Sequence, residues 1–133
     1  MEDLTIGKLA RRAQVNVETV RYYERRGLIA RPPRPRSGYR RYAEETVGRI
    51  RFVKRAQDLG FSLGEVAELL ALRVDPETTC ADVRSQAEAK IADIEDKLRE
   101  LSRMKRALKQ LAASCTGQGP VGECPILEAL EGE

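Results

Sequence analysis

The sequence has no histidine and no tryptophan, only three cysteines, and just 5% aromatic residues. Each shortage excludes something. Without histidine, the commonest general base and the usual nitrogen ligand of zinc are both missing. No nucleophile–base pair and no phosphate-binding glycine motif is visible, so the chain does not read as an enzyme. Few aromatics argue against one large core in 133 residues, a length that suits a small domain with an extension. No apolar run approaches the roughly 18 residues needed to span a membrane. The opening MEDLTIGKLARRA has no signal-peptide apolar segment, so the expected location is the cytoplasm, with no membrane partner. Three cysteines cannot all pair within one chain, and a cytosolic setting disfavours disulfides. Buried thiols, a redox switch or metal ligands remain.

Charge, by contrast, is plentiful at 34% of residues, and it is unevenly distributed. Residues 1–60 carry 15 Lys/Arg and 7 Asp/Glu, 15 − 7 = +8. Residues 61–133 carry 9 and 14, 9 − 14 = −5. A basic, arginine-rich N-terminal half suggests a polyanionic partner, most simply DNA.

Local signals divide that half into short helices. Thr5 can cap a helix from Ile6 to about Ala13, with Ile6, Leu9 and Ala10 inward and Lys8, Arg11 and Arg12 outward. A break follows at Gln14 and Val15. Asn16 then caps a second helix from Val17 to about Arg26, stopped by Gly27. Two short helices around a tight turn read as a helix-turn-helix, in which the start of the second helix reaches base edges. The candidates there are Val17, Glu18, Thr19, Arg21 and Tyr22, with Thr5 and Lys8 beside them on the first helix.

Residues 28–42, LIARPPRPRSGYRRY, are too rich in proline for a helix, and Ser37–Gly38 signals a turn. Short β-segments near Ile29 and at Tyr39–Tyr42 would make a small wing. Tyr39, Arg40 and Arg41 suit phosphate contacts. Tyr42 fits a DNA contact and a packing role equally. A third helix, about Glu44 to Leu59, has Val47, Ile50, Val53, Ala56 and Leu59 inward. Arg49, Arg51, Lys54 and Arg55 on its other faces are expected to extend the DNA-facing surface. The capping box Ser62–Glu65 opens a fourth helix, to about Leu72, with Val66, Leu69 and Leu70 inward. Residues 73–79 read as a hinge, with Thr79 as the next cap.

The longest stretch is Cys80–Ala113, without Gly or Pro. Ala87, Ile91, Ile94, Leu98, Leu101, Leu108 and Leu111 form one apolar stripe near a heptad seam, interrupted by Lys105. At about 1.5 Å per residue this helix is roughly 50 Å long. It cannot bury its stripe against the small remainder of one chain. A second copy is the natural partner, through Ile91, Ile94, Leu98, Leu101 and Leu108.

TIGKLARRAQVNVETVRYYERRGLI, then SGYRRY, then RFVKRAQDLGFSLGEVAELL, resembles the MerR family of bacterial transcription regulators. The resemblance implies a mainly α protein. It would have a winged helix-turn-helix domain over residues 1–72, a hinge over 73–79, a dimerisation helix over 80–113 in an antiparallel coiled coil, and a metal-binding loop with a short helix over 114–133. It implies a homodimer on operator DNA that acts with RNA polymerase, repressing without metal and activating by DNA distortion with it.

Cys80, Cys115 and Cys124, with Pro125 after the last, are similar to the cysteines of the mercuric-ion-responsive branch. Three thiolates and no nitrogen donor form a soft site suited to Hg(II). Thiolates on one ion lie within about 4 Å of each other. Cys80 and Cys115 stand at opposite ends of the long helix. If all three bind one ion, Cys80 comes from one protomer and Cys115 and Cys124 from its partner, which antiparallel pairing allows. Lead- or cadmium-responsive relatives and a thiol redox sensor are the alternatives. The segment TGQGPVGE between Cys115 and Cys124 is richer in glycine than the resemblance implies.

Overall fold

The computed structural model describes residues 3–33 and 38–132. The chain forms two compact units, Met1–Gln86 and Ala87–Glu133.

The first unit is a small helical domain. Helix α1 spans Ile6–Ala13, and Thr5 Oγ1 accepts a hydrogen bond from the Lys8 N–H at 3.3 Å. Gln14 ends α1 in the left-handed conformation, φ 61°. Helix α2 spans Val17–Arg25, capped by Asn16 Oδ1, which accepts from the Thr19 N–H at 2.8 Å. Each cap satisfies an amide at the helix start that has no partner within its helix. Helix α3 spans Glu45–Asp58 and α4 spans Leu63–Val74. Both halves of the Ser62–Glu65 capping box are made. Helix α4 runs two residues past the expected Leu72, so the hinge shortens to residues 75–79.

The core of this unit collects the inward faces expected of α1 to α4. Leu9, Val20, Leu28, Ile50, Val53 and Val66 are fully buried. Complete burial of one such side chain stabilises by about 1.5–3 kcal/mol. Val15 and Val17 pack against the edge of this core. One inward assignment fails. Leu59 is 66% exposed, because α3 ends one residue before it.

The expected wing takes a different form. Among the described residues no strand joins Ile29 to Tyr39–Tyr42. Tyr42 instead pairs with Leu4 in one antiparallel bridge, with both N–H···O bonds at 2.7 Å. Ile29 is buried in the core. The second limb is thus stitched to the chain before α1. The only bond found across the two limbs is from Arg40 Nε to the Pro32 carbonyl, 3.0 Å. Ser37, half of the expected turn, lies outside the described residues.

Helix α5 spans Cys80–Ala113. At its start Thr79 Oγ1 accepts from the Asp82 N–H, and Asp82 Oδ2 accepts in return from the Thr79 N–H. In the second unit the residues from Ala87 on continue α5. A 3₁₀ turn at Val121–Glu123 and a short α6, Pro125–Glu131, follow. Between Ser114 and Pro120, Gly117 and Gly119 both have positive φ, 83° and 99°. Side-chain-bearing residues resist that conformation, which explains the glycines of this loop. The stripe on α5 is bare: Ile91, Ile94, Leu98, Leu101 and Leu108 are each 40–63% exposed.

Candidate DNA-binding face and thiol site

The exposed face of α2 carries the expected base-reading side chains. Glu18 and Arg21 pair at 3.2 Å, and Thr19 Oγ1 donates to Asn16 Oδ1 at 2.9 Å. Tyr22 lies between two guanidinium groups, Arg25 at 5.9 Å and Arg26 at 5.8 Å from its ring centre. Arg26 also donates to the Tyr22 hydroxyl at 3.1 Å. The ring is a stacking platform that holds two positive charges in place. Val17 differs from the other candidates, since it packs partly against the core.

Beside α2 lies a concavity of ≈480 Å³, where Thr5 and Ile6 at the start of α1 meet Arg21 and Arg25 of α2 and Arg31, Tyr39 and Arg40 of the wing. Elements far apart in sequence thus present arginines to one place. Arg41 is exposed nearby in sequence, and Lys8 is exposed on α1.

The floor of this concavity is acidic, which the sequence reading missed. The Glu24 side chain is only 7% exposed. It accepts a hydrogen bond from the Tyr42 hydroxyl and lies 3.7 Å from Arg31. Burial, followed by the hydrogen bond and the charge of Glu24, pushes the Tyr42 hydroxyl up to about 12. Tyr42 is buried, so packing is its role, and it joins the wing to α2 through Glu24. A signal was available: Glu24 follows buried Val20 by four residues and so shares its inward face. Tyr23 is buried beside it and donates to Gln57 at 2.7 Å, tying α2 to α3. Burial, then the charge of Asp58, raises its pKa.

Three of the four basic residues of α3 brace the domain itself. Arg49 Nε donates to the Leu28 carbonyl at 2.8 Å, Arg51 to the Arg12 carbonyl at 2.7 Å, and Lys54 to the Gln14 carbonyl at 3.3 Å. Two of these carbonyls lie at the end of α1, where backbone acceptors lack partners within the helix. Arg12 is in turn paired with Glu44 at 3.0 Å.

All three cysteines are free thiols. Cys80 is exposed at the start of α5, and Cys115 and Cys124 are half-buried in the second unit. Cys115 Sγ accepts a hydrogen bond from the Gly117 N–H at 3.3 Å. Among the described residues of the single chain, no three Cys, His, Asp or Glu side chains come together as a metal-binding group. Among the same residues, no helix is long and apolar enough to cross a membrane.

Family models match most of the chain. Residues 4–72 match "MerR HTH family regulatory protein", and residues 47–111 match "MerR, DNA binding". The chain is 47% identical over 133 residues to the mercuric resistance operon regulatory protein of Serratia marcescens, covering 100% of this chain and 91% of the relative. It resembles the crystal structure of MerR from Bacillus megaterium MB1 in complex with mercury(II), at 43% identity and TM-score 0.71, covering 97% of this chain and 100% of that one. It also resembles the lead(II) complex of the transcription regulator PbrR691 from Ralstonia metallidurans CH34, at 36% identity and TM-score 0.85, covering 96% and 98%. A basic helix-turn-helix face, a bare 34-residue helix and matches along the full length agree, and the chain belongs to the MerR family of helix-turn-helix transcription regulators and is not an enzyme.

Proposed function

We propose that this protein is the mercury-responsive regulator of a mercury-resistance operon, a homodimer that binds operator DNA and acts on RNA polymerase at the promoter. The observation that carries this is the cysteine set. Cys80, Cys115 and Cys124 are free thiols in a chain without histidine, and the chain is 47% identical end to end with a mercuric resistance operon regulatory protein.

The donor chemistry fits a soft ion. Three thiols at helix ends and in a loop supply sulfur alone, which suits Hg(II) over ions that prefer nitrogen or oxygen. Two features support a site shared between protomers. The cysteines do not converge within one chain, and Cys80 opens a 34-residue helix that Cys115 follows. Two chains paired antiparallel bring Cys80 of each toward Cys115 and Cys124 of the other, giving two equivalent sites by symmetry. The bare stripe on α5 supports the pairing.

In each protomer α2 reads the major groove through Glu18, Thr19, Arg21 and Tyr22. Arg31, Tyr39 and Arg40 hold the phosphates. Ligation binds the ends of two protomers together and so favours one arrangement of the dimer over another. The DNA held by both faces is deformed with it, which switches the promoter from repressed to active.

A lead(II) response is the second reading, favoured by the TM-score of 0.85 to a lead-bound regulator. Exposing the purified dimer to equal Hg(II), Pb(II) and Cd(II), then measuring bound metal and its coordination number, separates the two. Retained mercury with three sulfur ligands is the expected result, and selective retention of lead or cadmium rejects the mercury assignment.

A further inference from the structure

We infer that two copies of the chain pair through α5 in one particular antiparallel stagger, with Leu98 opposite the partner's Leu101, selected by an ion pair between Glu88 and the partner's Lys109. This rests on the homodimer proposed above and specifies what fixes its geometry.

The charge on α5 changes sign halfway along. Residues 80–96 carry two basic and five acidic side chains, 2 − 5 = −3. Residues 97–113 carry six basic and one acidic, 6 − 1 = +5. Parallel pairing would set each half against its own sign. Antiparallel pairing sets each against the opposite sign.

The heptad pattern then distinguishes the staggers. One seam position recurs at Ala87, Ile94, Leu101 and Leu108, the other at Ile91, Leu98, Lys105 and Ala112. Glu88, Glu95, Ser102 and Lys109, seven apart, line one flank of the seam, and Lys97 and Met104 line the other. In an antiparallel pair the two seam positions face each other and each flank meets its own counterpart. Acceptable staggers therefore differ by one heptad.

With Leu98 opposite the partner's Ile94, Glu95 meets the partner's Glu95 and Lys97 meets the partner's Lys97, with like charges on both flanks of the two-fold axis. With Leu98 opposite the partner's Leu108, Leu101 faces the partner's Lys105, and Ile91 falls opposite Cys115, beyond the end of α5. That stagger loses the Ile91 layer from the interface. With Leu98 opposite the partner's Leu101, Ile91 meets the partner's Leu108 and Glu88 meets the partner's Lys109. Glu95 then faces Ser102, and Lys97 lies over Met104. The first alternative fails on charge and the second on buried apolar surface. Glu88, Glu95, Ser102 and Lys109 are all exposed on the single chain, and Leu98 and Leu101 are more than half exposed. The selected stagger sets Cys80 level with the residues just past the end of the partner's α5, from which Cys115 follows.

The test is a charge-swap cycle on the full-length reduced protein, with dimer dissociation followed by sedimentation and helix content by circular dichroism. Each pair occurs twice by symmetry. Glu88→Lys and Lys109→Glu should each raise the dimer Kd by roughly threefold to thirtyfold with helix content unchanged. The double variant should return the Kd to within about twofold of wild type. Glu95→Gln should have little effect, since Glu95 faces serine. A double variant no tighter than the singles, or a tighter dimer in Glu95→Gln, overturns the stagger. Operator binding and mercury response by a dimer that fails this cycle would show the regulatory function standing without it. A wild-type chain that stays monomeric on operator DNA would reject the homodimer itself.

Discussion

Replacing Tyr42 by Phe removes one hydroxyl and keeps the ring, so no cavity opens. The hydroxyl donates to Glu24, whose side chain is 7% exposed. Without it, the carboxylate keeps only Arg31 at 3.7 Å, a residue that is itself 65% exposed. A hydrogen bond to a charged group contributes about 1.5–3 kcal/mol. For a unit of this size that lowers the thermal midpoint by roughly 6–24 °C. The assay is selective. There is no tryptophan, and Tyr22, Tyr23, Tyr39 and Tyr42 all lie in the Met1–Gln86 unit, so near-ultraviolet circular dichroism reports on that unit alone. The pH dependence gives a second readout. The Tyr42 hydroxyl is raised from 10.0 to about 12, so the folded unit holds its proton more tightly than the unfolded chain. Stability from this group is fully present below pH 10 and is lost as pH rises through 12. Tyr42→Phe should therefore lose stability at neutral pH and show a shallower alkaline decline, with the raised Tyr23 supplying what decline remains. Glu24→Gln keeps an acceptor for the hydroxyl and should cost less. A Phe variant that melts at the wild-type temperature, with the wild-type alkaline profile, would refute the role given to Glu24 and Tyr42.

Serine at any one of Cys80, Cys115 or Cys124 should abolish mercury induction in a reporter strain while operator binding, measured by gel shift, is kept; loss of operator binding in Cys80→Ser contradicts that separation of roles. Leu9→Ala, in the fully buried core, should destabilise the first unit by about 2–5 kcal/mol in denaturant titration. Leu98→Asp should convert the dimer to monomer in sedimentation with the first unit still folded, because it places a charge on the apolar stripe. Arg31→Ala, in the wing, should reduce the steepness of operator affinity against salt by about one phosphate contact, close to 0.9 in the logarithmic slope.

Most of the fold was written locally. Thr5, Asn16 and Ser62 each accept the amide bond that defines a cap, and those caps set the starts of α1, α2 and α4 correctly. The limits of α5 were equally legible, since Thr79 caps it and no Gly or Pro interrupts it. The wing was not. Its pairing with Leu4 is a contact across 38 residues, and no pattern within LIARPPRPRSGYRRY announces it. Glu24 was missed because an acid among arginines reads as a solvated charge, whereas its position four residues after Val20 turns it inward. The basic residues of α3 looked like DNA contacts on charge alone. Whether an arginine faces DNA or a backbone carbonyl depends on where α1 ends in space, as Arg51 and Lys54 illustrate. The three cysteines were recognisable by type and spacing, but one chain does not bring them together, so the site must be argued from the pairing of two.

A complementation experiment tests the shared three-thiolate site most directly. One chain carries Cys80→Ser and the other carries Cys115→Ser with Cys124→Ser. Each homodimer has incomplete sites, but the heterodimer holds one complete site made of Cys80 from one protomer and Cys115 and Cys124 from its partner. Mercury bound per heterodimer, with its sulfur coordination number from X-ray absorption, is the quantity to measure. One tightly held Hg(II) per heterodimer with three sulfur ligands is the predicted result. No gain of tight binding in the heterodimer over either homodimer would contradict it.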